Sequence, residues 1–184
     1  MHIQTHVMSG WCFANCFQLN ARERFLCMLA ASLPDCDGLG IVFGQEAYWD
    51  YHHVLGHNFL VAVLLSLALA GFSNQKLKCF AVYLGLFHLH LLMDYFGSGE
   101  GWGILYLWPF RSDSYESERC WPLYSWQNLC FGAFFLAWTL LVAVRKKRTP
   151  LEWPMPGLDK KLVAALSRLK STAATSAPDR TTGR

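Results

Sequence analysis

What most constrains this chain is a set of ionisable side chains spaced along apolar segments. His2 and His6, His53 and His57, and His90 and Asp94 each stand four residues apart, and Asp35-Cys36-Asp37 follows directly on Pro34. On a helix, residues four apart share one face. An ionisable group among apolar helices is costly unless it is paired, bound to metal or lining a wet cavity. A chain that carries this cost repeatedly is expected to be all-α: a membrane-embedded helical bundle that gathers these groups around a metal.

Composition supports that class. Of 184 residues, 53% are hydrophobic and 16% charged, against roughly a quarter charged in a soluble domain. Lys and Arg dominate after residue 144, and no basic stripe with interleaved aromatics is present, which excludes nucleic acid as a partner. The seven Cys show neither CxxC nor zinc-ribbon spacing. Cys12, Cys16, Cys27, Cys79 and Cys130 fall in apolar segments and read as small hydrophobes. Cys36 and Cys120 lie in loops, and spacing does not say whether they pair. The N-terminus lacks the basic stretch of a cleavable leader.

About five helices are expected. The first covers 3–18, and Asn20-Ala21-Arg22-Glu23-Arg24 breaks it from a short second helix at 24–33, which Pro34 ends. A Gly- and Asp-rich loop at 34–50 leads to a third helix capped by Asp50 and running to Phe72. The fourth spans Lys76 to Tyr95. A loop rich in Gly, Trp and Pro fills 96–124. The fifth, 125–144, is the cleanest membrane span and ends in Arg145-Lys146-Lys147-Arg148. Residues 1–148 thus form a membrane-embedded domain. Residues 149–184 form a cytoplasmic piece: a basic amphipathic helix at 158–170, suited to a membrane surface, and a disordered Ser/Thr/Ala-rich tail at 171–184.

Hairpin topology puts the candidate ligands on one level. His57 lies 16 residues before Ser73, and Asp94 lies 16 after Lys78, so each is ~24 Å from the turn at ~1.5 Å per residue. The first two helices likewise carry His2/His6 and Asp35/Asp37 at their far ends. Arg22, Arg24, Lys76, Lys78 and the 145–148 run fall at the opposite end, which the positive-inside rule makes cytoplasmic.

Each element also has a plainer reading. His53 and His57 resemble the two-histidine face of zinc enzymes without the HExxH glutamate, and could instead bond to loops. His52, off that face, suits a substrate contact. A lone His90 would be a satisfied core residue, but Asp94 one turn on favours ligation; His88 points elsewhere. Asp35 and Asp37 could simply end a helix in an Asx turn. Placed level with the histidines, one becomes a ligand and the other a base. Tyr48, Trp49, Trp102, Trp108, Trp121 and Trp126 suit an interfacial aromatic belt, and Tyr48 and Trp102 could also wall a substrate.

The order His6-x3-Gly10, Pro34-Asp35-Cys36-Asp37, His53-x3-His57, His90-x3-Asp94 with Gly99, and Trp108-Pro109-Phe110 resembles the YdjM-type membrane-bound metal-dependent hydrolases, also described as LexA-binding and inner-membrane-associated. The resemblance covers roughly residues 1–145. That family is in turn similar to the all-helical zinc-dependent phospholipases C, whose HxxxD motif looks like His90 to Asp94. Two departures stand out. Where the family shows Arg-Gly-x-Thr-His-Ser, this chain reads His53-Val54-Leu55-Gly56-His57-Asn58, matching firmly only at His57. The Thr that follows the family's HxxxD motif is replaced by Gly97 or Ser98.

The expectation is therefore a multi-pass protein of the bacterial inner membrane with its C-terminus in the cytoplasm. A divalent metal, zinc foremost, would be held by His6, His53, His57, His90 and Asp94, with Asp35 and Asp37 as catalytic carboxylates. His52, Tyr48 and Trp102 would contact a small or lipid-like ester or phosphoester, and the bilayer would be the other partner. The rivals are a haem-binding membrane electron carrier with axial histidines and a non-catalytic membrane scaffold acting through its C-terminal helix.

Overall fold

A computed structural model describes residues 1–175, with side chains through 168. Among the described residues there are seven α-helices and no β-strand, only a lone bridge between Ile104 and Tyr115. The helices are α1 (Ile3–Ala14), α2 (Ala21–Ser32), α3 (Gln45–Tyr51), α4 (Phe59–Gly71), α5 (Lys76–Gly97), α6 (Trp126–Lys146) and α7 (Pro156–Thr175); a 3-10 helix, Leu33–Phe43, continues α2. Three stretches are long and apolar enough to cross a membrane: Ala21–Phe43, Lys76–Gly97 and Trp126–Lys146. Their outward side chains are apolar, among them Leu92, Phe134 and Leu136.

Two antiparallel hairpins, α1/α2 and α4/α5, pack against each other through α2 and α5, and α6 covers α1. Gly10 sets the first hairpin: a Cβ there would stand 2.7 Å from the Cys27 carbonyl oxygen and 2.9 Å from the Ala31 Cβ. The start of α2 is a capping box. The Asn20 side chain accepts from the Glu23 amide, and the Glu23 carboxylate accepts from the Asn20 amide, both at 2.9 Å. Glu23 is fully buried and also accepts from the Asn74 amide at 3.0 Å. One carboxylate thus ties the turn of the first hairpin to the turn of the second. With the turns locked together, the opposite helix ends, which carry the candidate ligands, must converge.

The third helix departs from its expected form. Instead of one helix from Asp50 to Phe72, the chain forms α3, then a turn over 52–58, then α4. Asn58 starts α4 by accepting the Val61 amide at 2.9 Å. His53 lies at φ +67, which no helix accommodates, so His53 and His57 are delivered by a turn. The 34–50 loop is replaced by the 3-10 helix and α3. α7 extends the expected 158–170 helix in both directions. Of the tail expected at 171–184, residues 171–175 continue α7, and the rest lie outside the described residues.

Candidate metal centre

Four elements bring donors to one point. α1 supplies His6, the 3-10 helix supplies Asp35 and Asp37, the 52–58 turn supplies His52, His53 and His57, and α5 supplies His90 and Asp94. The donor atoms of His6, Asp35, His90 and Asp94 all lie within 4.8 Å of one another, as do those of His53, His57 and Asp94. His6, His57, His90 and Asp94 are buried to 2% exposure or less, inside helices that face a membrane.

Inside this group four atoms are set apart by their mutual distances. His57 Nε2 lies 3.0 Å from His90 Nε2, and Asp94 Oδ2 lies 2.9 Å from His90 Nε2 and 3.5 Å from His57 Nε2. Asp35 Oδ1 lies 3.7 and 3.6 Å from the same two nitrogens. Zinc–ligand bonds of ~2.0–2.1 Å imply tetrahedral edges of ~3.3 Å. Five of the six separations among these atoms are 2.9–3.7 Å, so the donors lie close enough to share one small divalent ion.

The ring orientations match. His90 Nδ1 donates to the Ala31 carbonyl oxygen at 2.9 Å, His57 Nδ1 to Asp37 Oδ2 at 2.8 Å, and His53 Nδ1 to the Trp102 carbonyl oxygen at 2.9 Å. A carbonyl oxygen can only accept, so His53 and His90 carry their proton on Nδ1 and present the Nε2 lone pair inward. Metal-ligating histidines are held this way by an oxygen partner on the other nitrogen. His6 plays a different part. Its Nε2 lies 3.2 Å from Asp94 Oδ1, the oxygen turned away from His57 and His90. The Met1 amino group also contacts Asp94 Oδ1 and donates to Ser98 Oγ at 3.2 Å. Buried His6 Nδ1 and Asp94 Oδ2 are in no hydrogen bond.

Asp37 organises the turn. Oδ1 accepts from His52 Nδ1 at 2.7 Å. Oδ2 accepts from the His53 amide at 3.1 Å, the Gly56 amide at 2.9 Å and His57 Nδ1. Gly56 is what lets the turn come so close, since a Cβ there would meet the Pro34 carbonyl oxygen at 2.1 Å. Burial and the neighbouring His57 push His53 down to about 3, so it is neutral. Burial would lower His57 too, but the neighbouring carboxylates of Asp35, Asp37 and Asp94 outweigh this and hold it well above the ordinary histidine value.

A cavity of about 380 Å³ opens onto Asp35 and is walled by Tyr48, His52, His53 and Trp102, with Ile3 and Leu39 at its apolar side. Tyr48 stacks on His52 with ring centroids 4.9 Å apart, and Trp102 on Trp49 at 4.5 Å. All of the candidate site residues therefore meet at this centre or its cavity. His2 lines the cavity. His88 turns away, bonding the Tyr106 hydroxyl at 2.9 Å. Cys36 and Cys120 are both free thiols. Sequence reasoning missed the carbonyls of Ala31 and Trp102, for which no side-chain signal exists. It also missed the pairing of Asp37 with the turn 15–20 residues downstream.

Fold and site together define a class: an all-helical membrane protein that buries a histidine–carboxylate centre near one end of its spans. The YdjM inner membrane protein family matches residues 1–158, and the chain belongs to that family. No curated protein and no solved structure matches it.

Proposed function

We propose that this protein is a membrane-bound metal-dependent hydrolase acting on an ester or phosphoester, with one zinc ion held by His57, His90 and Asp94. The observation that carries the reading is the cluster of His57 Nε2, His90 Nε2 and Asp94 Oδ2, 2.9–3.5 Å apart, with Asp35 Oδ1 at 3.6–3.7 Å from both nitrogens. Catalytic zinc sites use three protein ligands and keep the fourth position for water. Asp35 is the donor to leave out: it has the longest separations, its side chain is 13% exposed against 0–1% for the others, and it faces the cavity.

A bound zinc would supply a water of pKa ~7 and polarise the scissile bond. Asp35 would take the proton as that water attacks and return it to the leaving group. Asp37 aims His57, and His6 holds the second oxygen of Asp94. His52 and His53 face the cavity as polar contacts for the reacting group, while Tyr48 and Trp102 take up an apolar portion. That division suits an amphiphile, and a lipid-like substrate would enter from the bilayer. The haem reading finds no support in this geometry, because 3.0 Å between His57 Nε2 and His90 Nε2 leaves no room for a macrocycle. Three membrane-length helices support a multi-pass reading, and the basic run at 145–148 supports a cytoplasmic C-terminus.

Asp35→Asn separates the roles. The variant should keep its zinc, measured by metal analysis of purified protein, while hydrolysis in a screen of phosphodiesters, phospholipids and carboxyl esters falls by about 10²–10⁴. His90→Ala and Asp94→Ala should lose the zinc. Unchanged metal content in both of these variants would sink the site.

A further inference from the structure

The opposite end of the molecule holds a second feature, independent of the metal centre. α6 ends at Lys146, and the chain turns at Lys147, which has φ +55. Two contacts then fix α7. Asp159 accepts the Thr149 amide at 2.6 Å, and Ser167 Oγ accepts from Lys147 Nζ at 2.9 Å. Asp159 and Ser167 are ~12 Å apart along α7, yet they touch residues only two apart in the chain just past the end of α6. α7 is therefore tied at two points to the end of α6. Since α6 is one of the membrane-length helices, α7 begins where that helix would leave the membrane.

The linker between them is clamped to the bundle. Arg24 grips Glu152 with both nitrogens of a bidentate pair, Nη2 to Oε2 at 2.8 Å, and Trp153 packs on Phe25 with centroids 4.9 Å apart. What α7 leaves uncovered is amphipathic. Asp159, Val163, Leu166 and Ser167 turn toward the protein, while Leu158 and Leu162 are each 39% exposed and Met155 in the linker is 52% exposed. Lys161, three residues past Leu158, is exposed beside them, and Lys160 is exposed on the other side of the helix. Residues 145–161 carry six basic and two acidic side chains. Glu152 is paired with Arg24, and Asp159 is buried against the Thr149 amide, so the segment keeps a net positive charge toward an outside partner.

We propose that α7 and the basic end of α6 form a binding surface for anionic phospholipid headgroups, with Leu158 and Leu162 immersed at the headgroup–acyl boundary, Lys161 on the phosphates beside them and Lys160 adding to the positive field. Exposed leucines with Lys161 beside them, on a helix tied to the basic end of a membrane-length helix, meet a bilayer with complementary charge. Neutral lipid would satisfy the leucines but not the lysines.

The test is hydrogen–deuterium exchange of the full-length protein in two kinds of nanodisc, phosphatidylcholine alone and phosphatidylcholine with phosphatidylglycerol. Amides of 156–168 should exchange at least about tenfold more slowly in the anionic discs, since each basic residue near such a surface contributes about fivefold. High salt should shrink the gap, and Lys160→Glu with Lys161→Glu should erase it, while α5 amides exchange alike throughout. Equal exchange of 156–168 in both discs would overturn the proposal, as would a difference that survives the double charge reversal. Slowing by added duplex DNA in phosphatidylcholine discs would assign the face to a soluble polyanion instead, and would overturn it too.

Discussion

Replacing Asp37 with Asn tests whether the centre is held from outside its ligand shell. Asp37 touches none of the inward-facing donors of His90 or Asp94, yet it accepts four hydrogen bonds, three of them on Oδ2. An Asn would keep its oxygen toward those three donors and turn its amide toward His52, which can answer with the other tautomer. The fold of the turn survives, and what changes is the charge behind His57. Loss of such an orienting carboxylate weakens metal binding by about 10–100-fold, or about 1.4–2.7 kcal/mol at 1.36 kcal/mol per decade. Protons partly mask the effect. In the metal-free protein the carboxylates hold His57 well above the ordinary histidine value, so an incoming ion must displace a proton. Below that raised value, affinity falls by about tenfold for each unit the pH drops. Asp37→Asn removes one of the groups that raise His57 and lessens this competition. The full weakening should therefore emerge only at high pH, with a smaller effect at neutral pH. Zinc affinity is measured by competition with a chromophoric chelator across a pH series in detergent. An affinity unchanged at every pH would refute the assignment of His57 as a ligand aimed by Asp37. Complete loss of metal, matching Asp94→Ala, would refute the indirect role.

Two further outcomes follow from the same geometry. Stripping metal with a chelator should lower the thermal midpoint, and zinc at a hundredfold over its dissociation constant should restore about 2.7 kcal/mol; a midpoint indifferent to both treatments would contradict the site. Gly10→Val should destabilise by about 1–3 kcal/mol, because even a Cβ would sit 2.7 Å from the Cys27 carbonyl oxygen on the facing helix. Wild-type stability for that variant in a thermal melt would contradict the close approach of α1 and α2.

Much of the architecture could be read from the order of residues because membrane helices obey few rules. Lys76–Gly97 and Trp126–Lys146 fall within two residues of their expected ends, since long apolar runs bounded by polar or Gly residues leave little choice. The convergence of His6, Asp35, His57, His90 and Asp94 followed from hairpin arithmetic, and the buried Glu23 that locks the two turns explains why the arithmetic holds. The segment from 33 to 58 was much less legible. Pro34 and Asp50 were read as boundaries, but a 3-10 helix takes over where α2 would stop, and Asn58 starts the next helix in place of Asp50. The choice depends on Asp37, whose bonds to the His53 and Gly56 amides replace the helical bonds those amides would otherwise make. Local propensity does not anticipate an acceptor that far back in the chain.

His53 and His57 show why spacing alone was a sound guide to clustering but not to geometry. On a helix the two rings would have sat one turn apart on one face, with both Nε2 atoms able to reach one ion. In the turn His53 adopts φ +67, a conformation that costs a non-glycine residue of order 1–3 kcal/mol. Its ring stacks on that of His57 with centroids 4.3 Å apart while its Nδ1 is held by Trp102. The turn frees His57 to join His90 and Asp94 from a different direction, which a tetrahedral shell requires and a shared helix face does not provide. It also leaves His53 at the cavity wall, where the family pattern places an arginine. A neutral imidazole there, its Nδ1 proton held by the Trp102 carbonyl, presents only the Nε2 lone pair and carries no fixed charge. If His53 contacts the reacting group, it favours a neutral or singly charged one over a dianion. His53→Arg, tested on paired phosphodiester and phosphomonoester substrates, should therefore shift preference toward the dianionic monoester; an unaltered ratio would place His53 outside substrate contact.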